Sequence, residues 1–169
     1  MSAATAGGSY TSRSWIAQAD RDLEAARLLM AAGHFDWASY AAAQAAEKAI
    51  KAMLVAWGAD LGGGAKSRPW KIHELGELFH AFRRLPKSQQ LTEALTLLPT
   101  HDQGARYPDA ELDAPPCETY TQAIASKAIE LGVAVVDYAR RLVPAIDHAV
   151  RSLEAAADAA IAEGSVAPP

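Results

Sequence analysis

The segment Ala42-Ala43-Gln44-Ala45-Ala46-Glu47-Lys48-Ala49-Ile50-Lys51-Ala52 decides the fold. Gln44, Glu47, Lys48 and Lys51 recur at offsets of zero, three, four and seven, so they share one face of a helix. Ala42, Ala45, Ala46, Ala49, Met53 and Ala56 take the opposite side, where short side chains let a neighbouring helix come close. Glu47 precedes Lys51 by four residues, the favourable polarity for a helical ion pair worth about 0.2–0.5 kcal/mol. Spacing alone describes a solvated, salt-bridged face on a bundle helix.

The same periodicity extends in both directions. Residues 1–11 read as a flexible lead-in, and a first helix starts near Ser12 or Ser14. Its stripe is Trp15, Ala19, Leu23, Ala26 and Met30, and Gly33 ends it. The second helix runs from Phe35 or Asp36 to Trp57, closed by Gly58. A short third helix from Ile72 or His73 to Arg83 turns Leu75, Leu78, Phe79 and Phe82 inward. A fourth spans Lys87 to Leu98 and stops at Pro99, with a loop from Thr100 through Pro115-Pro116. The last long helix begins near Cys117 or Glu118 with the stripe Tyr120, Ile124, Ala128, Leu131, Val135, Tyr138 and Leu142. Pro144 is expected to kink or break it, and Ile146, Val150, Leu153, Ala157 and Ile161 continue into a terminal helix. Nothing alternates with period two long enough for a strand. The expected fold is all-α: an antiparallel bundle of about five helices over residues 12–143, with an additional C-terminal helix and tail over 144–169.

Composition bounds the function. The 169 residues are 50% hydrophobic and 21% charged, which suits one globular domain. A net charge of −4 excludes a broadly cationic nucleic-acid coat but not a local patch. Between Gly62 and Gln90, six bases (Lys66, Arg68, Lys71, Arg83, Arg84, Lys87) against Glu74 and Glu77 give +4, leaving −8 elsewhere. Such asymmetry either focuses a phosphate-bearing ligand or forms an ordinary solvated surface. Cys117 is the only cysteine, so an intrachain disulfide and a cysteine zinc site are excluded. With no leader-like N-terminus and no membrane-length apolar run, the expected location is the cytoplasm. Gly62-Gly63-Gly64-Ala65-Lys66-Ser67 lacks both the Gly-Lys pair and the preceding strand of a phosphate loop. No converging set of metal ligands appears, and no cofactor is expected.

Several pieces occur in order: Trp15, Ala19-Asp20 and Asp22-Leu23-Glu24-Ala25-Ala26-Arg27-Leu28-Leu29; Gly33-His34-Phe35-Asp36-Trp37-Ala38; Gln44 through Ala52; His73-Glu74-Leu75; and Ala105-Arg106-Tyr107-Pro108-Asp109. Together they resemble the HEPN family (higher eukaryotes and prokaryotes nucleotide-binding domain) over about residues 12–143. The resemblance implies a compact helical bundle that forms a homodimer with a cleft at its interface. It also implies partnership with a minimal nucleotidyltransferase in a toxin–antitoxin pair. Many such proteins are metal-independent RNases carrying Arg-x(4–6)-His, while others bind nucleotides without cutting. Arg106 fits the arginine, but the positions due to hold histidine are Glu111, Leu112 and Asp113; His101 lies five residues before Arg106 instead.

Metal-independent RNA cleavage needs a base for the 2′-hydroxyl, an acid for the leaving oxygen and a cation for the developing charge. His101 and His73 are the provisional proton carriers, because histidine titrates near neutrality. Arg106 is the provisional charge stabiliser, since a guanidinium grips phosphate bidentately. Its alternative is a structural ion pair with Asp109 or Asp102. Tyr107 either stacks on a base or packs beneath the loop. His73 and His101 serve equally well as turn-ordering hydrogen-bond partners. Gln44, Lys48 and Lys51 line a phosphate-binding cleft or form the solvated face described above, with Asp109 beside Arg106 in the binding set. Three readings stay open: a non-catalytic homodimeric nucleotide- or RNA-binding module, an RNase toxin using Arg106 with His101 or His73, and a ligand-free dimeric scaffold. A surface argument also favours pairing, because a single bundle does not obviously cover both the Tyr120–Leu142 stripe and the alanine side of the second helix.

Overall fold

The computed structural model describes residues 6–56, 88–108 and 114–162. Every regular element among them is a helix: α1 (Ala6–Ala31), α2 (Phe35–Ala56), α3 (Gln89–Leu97), α4 (Thr100–Gly104), α5 (Pro116–Thr119) and α6 (Gln122–Ala162). The expected helix over 72–83, the glycine loop, the basic cluster, His73 and Asp109 lie outside the described residues.

Helices α1, α2 and α6 pack on one another, α3 lies on α6, and α4 and α5 rest on α2. The turn between α1 and α2 follows from Gly33, whose φ of +83° is a conformation glycine adopts without strain. It lets the His34 amide donate to Leu29 O (2.9 Å) and the Gly33 amide to Met30 O (3.0 Å), satisfying the last carbonyls of α1. Alanines 42, 45, 46 and 49 of α2 are fully buried, so helix axes approach through small side chains. At Gly132 of α6 the approach is closest: a β-carbon there would stand 3.0 Å from Ala42 O and 3.2 Å from Leu23 Cδ2. Ile50, Leu131, Val135 and Val136 fill the centre. Ion pairs tie the layers at the rim, with Arg140 to Asp20 at 2.5 Å and Lys127 to Glu93 at 3.1 Å.

Four expectations are corrected. Helix α1 opens at Ala6 within the expected lead-in, and Ser12 lies fully buried inside the helix rather than at its cap. The segment after Pro99 is helical over Thr100–Gly104, because proline's φ (−58°) suits the start of a new helix as well as the end of the old one. The last long helix begins at Gln122, after Tyr120 turns extended (φ −81°, ψ 126°) and separates it from α5. Of the kink or break expected at Pro144, the break does not occur: that helix runs on through Pro144, which is solvent-exposed, and water can satisfy the carbonyl its missing amide leaves free. The surface argument for pairing holds only in part. Ala128, Leu131 and Val135, like the alanine side of α2, are buried within one chain, whereas Ile124 of the same stripe is 37% exposed and Tyr120, Tyr138 and Leu142 are half-buried. At the far end of α6, Arg151 to Ala159 are all exposed, Leu153 by 72%.

Candidate ligand-binding site

The polar row of α2 is mostly an interior feature. Glu47 and Lys51 are 4% and 2% exposed, and Lys51 Nζ lies 2.5 Å from Glu47 Oε1. Docking of α1 across the row covers the pair, with the Trp15 ring 5.4 Å from Lys51 Nζ as a cation–π partner. Lys48, half-buried, forms an ion pair with Asp22 of α1 at 2.6 Å without hydrogen-bond alignment. Asp22 Oδ1 accepts from Gln18 Nε2 at 2.9 Å. Lys48 and Lys51 are thus spent on carboxylates of their own chain, and the solvated face expected from spacing is found only in part.

Gln44 links this interior pair to the surface. Its Nε2 donates to Glu47 Oε2 (3.1 Å) and to Asp102 Oδ1 of α4 (3.3 Å). Ionised carboxylates only accept, which fixes the amide with its nitrogen towards both. Asp102 Oδ1 also meets Arg106 Nη2 at 3.3 Å, and the Asp102 carbonyl accepts from Arg106 Nε at 2.6 Å. Asp102 therefore holds the guanidinium along one edge, through Nε and Nη2. Its Cζ lies over two aromatic rings as a cation–π partner: Tyr40 of α2 at 4.7 Å and Tyr107 at 5.2 Å. Arg106 Nη1 has no hydrogen-bond partner among the described residues. The result is a fixed, partly exposed cation whose Nη1 is left over among the described residues, a geometry suited to gripping an anionic oxygen. Tyr107 is 59% exposed, so it is not packed beneath the loop.

His101 points elsewhere. Its Nδ1 lies 3.2 Å from Tyr120 Oη, and the two rings meet edge to face. Burial holds His101 below its ordinary pKa, while burial and then the charge of Asp36 raise that of Tyr120. Both shifts favour the neutral forms, and the His101 tautomer sets which of the two groups donates. Gly104 makes room for this contact, since a β-carbon there would stand 3.2 Å from Tyr120 Oη. Cys117 is an exposed thiol, and no group of residues suited to a metal ion occurs among the described residues.

Sequence reasoning named Gln44, Arg106 and Tyr107, which the structure brings together, and missed Tyr40 and the Tyr120 partner of His101. Asp102, four residues before Arg106, was legible as an ion-pair partner.

The arrangement of helices and the order of these residues have counterparts. A family model for the HEPN domain matches residues 12–142. The chain belongs to the HEPN domain family. TT1696 from Thermus thermophilus, known from a crystal structure, superposes with a TM-score of 0.65 at 28% identity, covering 78% of this chain and 97% of that one. ST0689, described as an archaeal HEPN homologue, gives a TM-score of 0.61 at 26% identity over 78% and 97%. No curated protein matches. Helix α6 of this HEPN domain extends 20 residues past the matched region, from Val143 to Ala162. No helix among the described residues is long and apolar enough to cross a membrane.

Proposed function

We propose that this HEPN domain is a non-catalytic, homodimeric module that binds nucleotide or RNA phosphate at Arg106. We propose further that it works beside a minimal nucleotidyltransferase in a toxin–antitoxin-like pair in the cytoplasm. The observation that carries the binding role is the guanidinium fixed by Asp102 and set against the Tyr40 and Tyr107 rings, with Nη1 left over among the described residues. A non-catalytic role is supported by the engagement of His101. Its Nδ1 meets the Tyr120 hydroxyl at 3.2 Å, which leaves one ring nitrogen, Nε2, for any proton transfer. The carboxylates and leucine at 111–113, where family RNases carry histidine, support the same reading.

Incubation of purified protein with total RNA in EDTA tests this. The expected result is intact RNA, retained by the protein and released by Arg106→Ala. Cutting that Arg106→Ala abolishes would establish the RNase reading in its place. An absence of any RNA or nucleotide binding by the wild type would leave the scaffold reading. Co-expression with a nucleotidyltransferase encoded beside it should yield a complex on a sizing column.

A further inference from the structure

Arg106 does not stand alone on the surface. Trp37 and Tyr40 lie one turn apart on the same face of α2, with ring centroids 5.9 Å apart and planes nearly perpendicular (86°). Tyr40 carries the Arg106 guanidinium at 4.7 Å, and the guanidinium reaches the Tyr107 ring at 5.2 Å. Four side chains from two separate segments thus form one continuous row: ring, ring, cation, ring. The two ends of that row are its exposed members. Trp37 is 48% exposed and Tyr107 59%, whereas Tyr40 and Arg106 between them are half-buried.

A large aromatic left in water beside a second one, with a fixed cation between, is poor design for a purely structural surface. The cation could be neutralised by Asp102 without either outer ring. The row instead matches the chemistry of an unpaired polynucleotide, in which flat bases alternate with phosphates. Stacking on an aromatic face is open to every base and demands no particular sequence. A duplex hides its base faces in its own stack, and a free phosphate has none.

We infer that Trp37 and Tyr107 are base-stacking faces on either side of the Arg106 phosphate clamp, so that the site takes single-stranded nucleic acid and prefers it to duplex or to isolated phosphate. The inference rests on the phosphate-binding role of Arg106 and adds to it what lies on each side. Tyr40 is the link between Trp37 and the guanidinium, lying 5.9 Å from the one and 4.7 Å from the other. Because stacking tolerates any base, the selectivity is for unpaired strands and not for sequence.

The test uses the full chain with three labelled probes read by fluorescence anisotropy: a single-stranded RNA about eight nucleotides long, the same strand with abasic internal positions, and its duplex. The intact single strand should bind most tightly, with the abasic strand and the duplex each weaker by about tenfold or more. Trp37→Leu and Tyr107→Leu keep apolar bulk and remove the π-face. Each should weaken the single strand by about tenfold and leave the abasic strand unchanged. Trp37 emission, taken as wild type minus Trp37→Phe, should be quenched by the intact strand only. Equal binding of intact and abasic strands, or Leu variants that bind as wild type does, would overturn the stacking inference and leave the Arg106 clamp standing. Loss of all binding only on Arg106→Ala, with both rings silent, would do the same. A wild type that binds none of the probes would overturn the clamp and the stacking faces together. Trp37 emission that shifts with protein concentration, without RNA, would assign that ring to a protein contact and overturn its role here.

Discussion

Replacing Lys51 by methionine probes the least expected feature of this fold, an ion pair inside the bundle. The Lys51 and Glu47 side chains are 3% and 5% exposed and meet at 2.5 Å. Methionine keeps nearly the same length and removes the ammonium, leaving the Glu47 carboxylate buried beside the Gln44 amide without the Lys51 charge. Stripping one partner from a buried pair costs about 3–5 kcal/mol. For a chain of this size each kcal/mol moves the melting temperature by about 2–4 °C, so a drop of about 6–20 °C is expected. Urea denaturation followed by circular dichroism measures the free energy, and an unchanged slope would show that the unfolding reaction is the same one. The double variant Glu47→Gln/Lys51→Met removes both charges and should recover a large part of the loss. The non-additivity of that cycle measures the coupling directly. A loss below about 1 kcal/mol in Lys51→Met, the value of a solvated pair, would refute the buried placement.

Gly132→Ala should destabilise the protein by about 1–2 kcal/mol, because the new methyl strikes Ala42 O and Leu23 and outweighs the gain in helix propensity; an unchanged melting temperature would contradict the close approach. Burial depresses the pKa of His101 in the folded state, so the unfolded chain binds the proton more readily. The stability this group contributes is complete above the ordinary histidine value near 6.5 and falls as pH drops below it; His101→Gln should flatten that part of a urea-midpoint profile taken from about pH 8 to pH 5. Ser88 accepts the Leu91 amide at 3.1 Å as the N-cap of α3, and Ser88→Ala should cost about 1 kcal/mol by the same assay.

The helices were legible because amphipathic periodicity survives without knowledge of neighbours. The stripe of α1, the glycine at 33 and the small face of α2 each carry a local physical cause. Burial of the polar row was not legible, for a reason the structure makes plain. Gln44, Glu47, Lys48 and Lys51 have the spacing of a wet face, and only the crossing of α1 and the docking of α4 decide that two of them are dry. Prolines misled in two ways. Pro99 ends α3 and also begins α4, and Pro144 sits where solvent tolerates a missing hydrogen bond, so α6 continues. At the site, Arg106 could be found from its motif, and Asp102 from the spacing of one helical turn. Tyr40 and Trp37 lie far from Arg106 in sequence, and no local pattern links them to it. Tyr120 read as one more apolar position until its extended backbone placed the hydroxyl against His101.

The most direct test of the account is the salt dependence of single-stranded RNA binding by wild type and Arg106→Ala, with the RNA recovered afterwards on a denaturing gel. The account predicts binding that weakens with salt, a slope smaller by about one in the variant, weaker affinity at every salt concentration, and full-length RNA in every lane. Identical affinities and slopes for the two proteins, or fragments that appear with wild type alone, would contradict it.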